Sequence, residues 1–133
     1  MSDERVSLPD KQPVLRVMPL PADVNAAGDI FGGWVMAQVD IAGGVAAMRR
    51  ARGRVATVAV NAFLFRQPIS VGDVVSFYAD IVKVGHTSIT VDVQVYAERH
   101  PENPLIVRVT EATLTYVALD REGCKRPVPP LEP

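Results

Sequence analysis

The feature that most constrains this chain is that it holds material for one long helix only, followed by runs with the two-residue period of strands. From Gly33 to Arg52 the sequence has no proline and carries Ala, Met, Gln and Val. At ~1.5 Å per residue this stretch would extend about 30 Å. Gly53 ends it, and Arg49, Arg50 and Arg52 in its last turns complement the helix dipole. Gly43 and Gly44 sit in its middle and cost about 2 kcal/mol together relative to alanine. With Ala42, Ala46 and Ala47 they form a small-residue surface, which a helix needs where another element approaches its backbone closely.

Everything after the helix reads as strand. Ala56 to Phe65 is apolar on both alternating faces except at Thr57 and Asn61, which predicts a strand covered on both sides. Pro68 ends it, and Val71, Gly72 and Asp73 supply a turn. Val74 to Val84 puts Val75, Phe77, Ala79 and Ile81 on one face and Ser76, Tyr78 and Asp80 on the other. After Gly85, Ile89 to Glu98 points Ile89, Val91, Val93 and Val95 inward and Thr90, Asp92, Gln94 and Tyr96 outward. Leu105 to Leu119 could form one strand of ~50 Å, and its mixed parity predicts a bulge or strong curl midway. Before the helix, Val14 to Met18 is a short strand ended by Pro19 and Pro21, and a polar loop runs from Ala22 to Asp29.

One helix with consecutive hairpins gives an α+β domain whose antiparallel sheet curves around that helix. The other sheet face then needs a cover, and with no second helix in the sequence a second subunit supplies it, so at least a dimer is expected. At 133 residues the chain is one domain, with a core over about 14–120 and flexible or extended arms at 1–13 and 121–133. The 14 Lys and Arg against 15 Asp and Glu leave a net charge of −1, which argues against nucleic acid as a partner. Cys124 is the only cysteine, the start is acidic rather than signal-like, and the longest uncharged stretches are about half the ~20 apolar residues of a membrane span. A cytoplasmic protein is expected.

Asp40 is the only charged side chain between Asp29 and Arg49. Positions three and four away are Met36, Ala37, Gly43 and Gly44, so no helical salt bridge is available to it. Burying such a carboxylate unpaired is costly, which marks it as a candidate catalytic group. The alternatives are a helix that turns it to solvent, or a bond to a subunit partner. The second feature is the loop Asn25 to Gly33 at the helix start, where unpaired first-turn amides and the dipole suit a carbonyl oxygen that becomes an oxyanion. The competing reading is a glycine-bearing approach to the helix with Asp29 as its cap. It is not a nucleotide loop, since Trp34 stands where the lysine should be.

His86 and His100 both fall in turns, so no metal site is expected, and Cys124 lies in a polar C-terminal loop. The arginines at 49, 50, 52 and 54 either hold a phosphate or simply compensate the helix end.

Several segments taken together resemble the single-hotdog bacterial acyl-CoA thioesterases of the YciA type. They are the N-x-x-G-D-x-F-G-G-W run from Asn25, the D-x-A-G-G centre at Asp40, V-N-x-x-x-F at Val60 with the P-I-S-V-G-D turn, and V-G-x-T-S at Val84. The likeness spans about residues 14–120. It implies a hotdog fold, with the long helix wrapped by the sheet, active sites at a dimer interface, and often a trimer of dimers. It implies hydrolysis of acyl-CoA without metal or cofactor, coenzyme A being part of substrate and product.

By position the family's catalytic carboxylate falls on Asp40 and its assisting asparagine on Asn25. Gly33 and its neighbour Gly32 would supply oxyanion donors, facing Asp40 of the other subunit. Whether Asp40 acts as general base or attacks as a nucleophile stays open. Coenzyme A contacts are implied for Asn61, Lys83, Gly85, His86, Thr87 and Ser88, for which a plain hairpin turn is the other reading. A non-enzymatic acyl-CoA-sensing hotdog protein, or a hotdog hydratase or dehydratase, are the alternatives. The second needs a histidine in the loop or helix, and the first would ordinarily carry a DNA-binding segment.

Overall fold

The computed structural model describes residues 6–131. In chain order they form β1 (Leu15–Val17), a single 3-10 turn at Pro21–Asp23, α1 (Gly32–Ala51), β2 (Val55–Phe65), β3 (Val74–Val84), β4 (Ser88–Arg99) and β5 (Leu105–Ala118). The strands make one antiparallel sheet in the order β1-β3-β4-β5-β2, and α1 lies against β2, β3, β4 and β5. The α+β class expected from one helix and a run of strands is observed, but only β3–β4 and β4–β5 are hairpins, because β2 crosses over to pair with β5 and not with β3.

The helix begins one residue earlier than the sequence reading and ends at Ala51, with Arg52, not Gly53, taking the left-handed conformation at φ 53°. Gly53 serves close approach instead. A Cβ there would lie 2.7 Å from Arg126 Nη2, and that guanidinium donates to the carbonyls of Ala51 at 2.7 Å and Leu119 at 2.9 Å. The C-terminal segment therefore supplies the cation at the helix end. It runs extended on its own domain, with Val128 N–H donating to His86 O and Arg50 donating to Pro129 O.

The inward face of α1 carries Val35, Val39, Ala42, Gly43, Ala47 and Ala51, a helical stripe of small and β-branched residues. Opposite it, Val75, Phe77, Ile89, Val91, Val93, Val95, Leu114 and Tyr116 complete the core. The inward set expected for β4 is buried throughout. In β3 the outward-facing Ser76 and Tyr78 are buried too, because Arg16 donates to Ser76 Oγ and Tyr96 meets Tyr78 edge-on at 5.6 Å.

β2 corrects the sequence reading. It is an edge strand, and Val58, Val60, Leu64 and Phe65 are each about half exposed within one chain. Val55 and Phe63 still pack on the core, and the exposed residues fit cover from outside the chain. Curvature comes from single extra residues: Val58 and Asn61 in β2, Val82 in β3, and Val109 in β5. The last of these is the bulge expected in the final strand.

Gly43 and Gly44 are not equivalent. A Cβ on Gly43 would sit 2.4 Å from the Tyr116 hydroxyl, whereas one on Gly44 would make an ordinary 3.7 Å contact with the same ring. In denaturant titrations Gly43→Ala is expected to lose about 1–3 kcal/mol through overpacking. Gly44→Ala should be neutral or gain up to about 1 kcal/mol of helix propensity. Equal losses at the two positions would contradict this packing.

Candidate active site

Asp40 finds its partners on the sheet. Its Oδ1 accepts hydrogen bonds from Thr57 Oγ1 at 2.6 Å and from the Tyr116 hydroxyl at 3.1 Å, and the same hydroxyl lies 2.9 Å from the Asp40 backbone carbonyl. Thr57 and Tyr116 are direct partners across the β2–β5 pairing, so strand register brings both hydroxyls to the same carboxylate. Asp40 is half-buried, which sets aside the reading of a carboxylate turned fully to solvent. Neutral hydroxyls orient a carboxylate without cancelling its charge, and Oδ2 has no partner among the described residues. Burial, reinforced by the negative charge and hydrogen bond of Asp40, pushes the Tyr116 phenol well above the ordinary tyrosine range. It is a proton donor to Asp40 at every physiological pH.

Sequence reasoning missed both hydroxyls as functional groups. Two signals pointed at them: Thr57 was one of the two polar interruptions of an apolar strand, and the paired glycines announced a close neighbour for the helix.

The start of α1 forms the second half of the site. Asn25 folds the loop before the helix: its Oδ1 accepts from the amides of Ala27 at 2.9 Å and Asp29 at 3.1 Å, and Gly28 turns with φ 91°. The Asn25 side-chain amide has no partner among the described residues. Asp29 is not the helix cap. The helix starts at Gly32, so Phe31 takes that position, without a side-chain bond. Phe31 O receives the amides of Trp34 and Val35, which leaves the Gly32 and Gly33 N–H groups without partners among the described residues. Asn25 and Gly32 border a cleft of about 350 Å³ with Val35, Phe65, Ile69 and Thr110. Gly33 lies just outside its lining, and a Cβ there would meet nothing within 4 Å.

A single chain does not bring these halves together. Asp40 does not line the cleft, and it stands eight positions along the helix from Gly32, about 12 Å along the axis.

Most of the remaining candidates lie at the β3–β4 turn, at the same end of the sheet as Tyr116, which pairs with Ile89. Gly85 N–H donates to Ser88 O at 2.8 Å to close the β3–β4 turn, and a Cβ on Gly85 would lie 2.6 Å from Ser88 Oγ. His86 and Thr87 lend their carbonyls to Val128 and Ala118, while the side chains of Lys83 and His86 are exposed. Asn61, at a β2 bulge, spends its Oδ1 on Thr115. Arg50 donates to Pro129 O in the C-terminal segment, a partner that matches neither the phosphate reading nor the helix-end one. Among the described residues no three His, Cys, Asp or Glu side chains gather to hold a metal ion. No helix among them is long and apolar enough to cross a membrane.

The raised Tyr116 value has a measurable sign. A phenol kept neutral in the fold contributes stability fully present below about pH 10, which is lost as pH rises from there through the folded-state value. Above about pH 10 the native chain should therefore lose stability more steeply than Tyr116→Phe when followed by circular dichroism in denaturant. Parallel slopes would place the phenol in a less buried setting.

Comparison with known proteins gives a consistent set. Residues 27–103 match the model of the thioesterase superfamily. The acyl-CoA thioester hydrolase YciA of Salmonella typhimurium is 47% identical over 123 residues, covering 91% of this chain and 92% of that protein. A hexameric hotdog-fold thioesterase of Campylobacter jejuni superposes with a TM-score of 0.86 at 40% identity, over 90% of this chain and 91% of that one. A hexameric thioesterase from Yersinia pestis gives 0.85 at 47% identity, over 92% and 99%. One long helix laid across a curled antiparallel sheet, together with these matches in sequence and structure, places the chain in the hotdog-fold thioesterase superfamily, among the YciA-type acyl-CoA thioester hydrolases.

Proposed function

We propose that this chain hydrolyses acyl-CoA thioesters to a free carboxylic acid and coenzyme A, at a site that two copies build between them. The observation that carries the reading is the Asp40 carboxylate, held in mid-helix by two neutral hydroxyls with its second oxygen unoccupied by any described residue. The relative from Salmonella typhimurium is named for the same reaction.

In the proposed reaction the thioester carbonyl lies at the start of α1, where the Gly32 and Gly33 amides and the dipole stabilise charge on its oxygen. Asp40 of the facing copy takes a proton from water as that water attacks the carbonyl carbon. The tetrahedral adduct collapses, the carbon–sulfur bond breaks, and the leaving thiolate recovers the proton from Asp40. Asn25 uses its unpaired side-chain amide to orient the water or the carbonyl. Thr57 and Tyr116 position the carboxylate and keep one oxygen pointed outward. No metal or cofactor enters this scheme, since side chains and backbone supply the base and every donor.

The assembly follows from the edge strand. β2 presents an apolar, half-exposed edge beside Thr57 and Asp40, so pairing two copies there covers Val58 and Val60 and carries each Asp40 toward the other copy. A trimer of such dimers would match the hexamers named for the Campylobacter jejuni and Yersinia pestis proteins. Coenzyme A is assigned to the Gly85–Ser88 turn with Lys83, His86 and Asn61 at its margin. Cys124, an exposed free cysteine, suits the reducing cytoplasm that the reading assumes.

Thiol release from acyl-CoAs of graded chain length tests the reading. Asp40→Asn should lower turnover at least ~100-fold with binding largely kept. Unchanged turnover would move catalysis elsewhere, and binding without hydrolysis by the native chain would favour an acyl-CoA sensor. A second measurement tests the sharing of the site. Refolding Asp40→Asn together with Asn25→Ala should restore about a quarter of native activity, since half of the dimers are mixed and each then holds one intact site. No recovery would place both residues in a site made by one chain.

A further inference from the structure

We infer that Thr110 is a substrate-contacting residue whose hydroxyl donates a hydrogen bond to the acyl carbonyl of the bound thioester. The inference rests on the thioesterase reading above and extends it to a residue that neither the motifs nor the helix start supplies.

Three polar or charged side chains are fully buried among the described residues: Asp73, Ser76 and Thr110. Two have their bonds. Asp73 accepts from the Ser70 amide and from Arg99, and Ser76 Oγ accepts from Arg16. Thr110, with no exposed surface, has none for its Oγ1. The other unpartnered buried atom, Arg108 Nε, belongs to a guanidinium already bonded to Glu111 and lying over the Tyr96 ring.

The position of Thr110 is a product of the β5 bulge. Val95 pairs with Thr110 and Tyr96 with Arg108, so Val109 is the extra residue, and both Val109 and Thr110 are buried. Val109 O receives the amides of Arg66 and Gln67, and Thr110 stands opposite Phe65 at the end of β2. Thr110 thereby lines the same cleft as Asn25 and Gly32, beneath the helix start with its unpartnered amides.

A buried hydroxyl without a partner destabilises the fold, and valine would fill the same space without that cost. A threonine held there is explained when its hydrogen bond is completed by a ligand. The acyl portion of a simple acyl-CoA offers a single hydrogen-bond acceptor, its carbonyl oxygen. The donor must therefore meet the atom on which negative charge grows during attack. Shielded from water, such a bond is stronger in the transition state than in the bound substrate, and its effect falls on kcat.

The test compares native chain, Thr110→Val and Thr110→Ser by thermal melting and by steady-state thiol release from acyl-CoAs. Thr110→Val should melt at or above the native temperature while kcat/KM falls about tenfold, chiefly through kcat. Thr110→Ser should keep most of the native rate. A valine variant with native kcat/KM, or one that melts below the native chain, would overturn the inference, the latter by showing a structural bond. A loss confined to KM would overturn the assignment to the carbonyl. If the native chain cleaves no thioester, the thioesterase reading itself falls, an outcome distinct from an active native enzyme indifferent to the substitution.

Discussion

The structure turns on a phenol lying against bare helix backbone. Tyr116 reaches Asp40 because Gly43 has no side chain, and a single methyl group there would occupy the space of the hydroxyl. The two mid-helix glycines cost about 2 kcal/mol in helix propensity, and the packing of a buried tyrosine ring with its hydrogen bonds to Asp40 offsets that. The same contact fixes the helix along the sheet, since Tyr116 belongs to β5 and Asp40 to α1. A carboxylate that would be stranded in an isolated helix becomes an oriented one. Position, local cost and candidate function meet in one contact between two elements 76 residues apart in sequence.

The described chain leaves apolar surface uncovered. Its core is closed between α1 and the inner sheet face, yet β2 leaves an apolar edge exposed, and Met36, Ile41 and Met48 of the helix stay partly uncovered. The two candidate ends of the chemistry share this incompleteness. The free amides sit at the beginning of the helix and the carboxylate in its middle, too far apart to act on one small group. Under the proposed mechanism a single interface resolves both, burying the edge and joining one copy's carboxylate to the other's amides. Three of the four bulges sit beside these residues: those at Val58 and Asn61 curl β2 near Thr57, and that at Val109 precedes Thr110, which lines the cleft.

Much of this was legible in the sequence. One proline-free segment, four strand-like runs and the turns between them determined the α+β class, the β3–β4 hairpin and the inward residues of β4, because side-chain periodicity is a local property of backbone geometry. Asp40 stood out by elimination, since no helical neighbour could pair with it, the loop from Asn25 to Gly33 by the first-turn amides it leads into, and Asn25 itself by the family resemblance. What local pattern could not report was strand order. It therefore read β2 as covered on both sides when it lies at an edge. Tertiary contacts alone decided that Thr57 and Tyr116 hold Asp40, that Gly53 makes room for Arg126, and that Thr110 is left without a partner, because each depends on register between residues far apart in the chain.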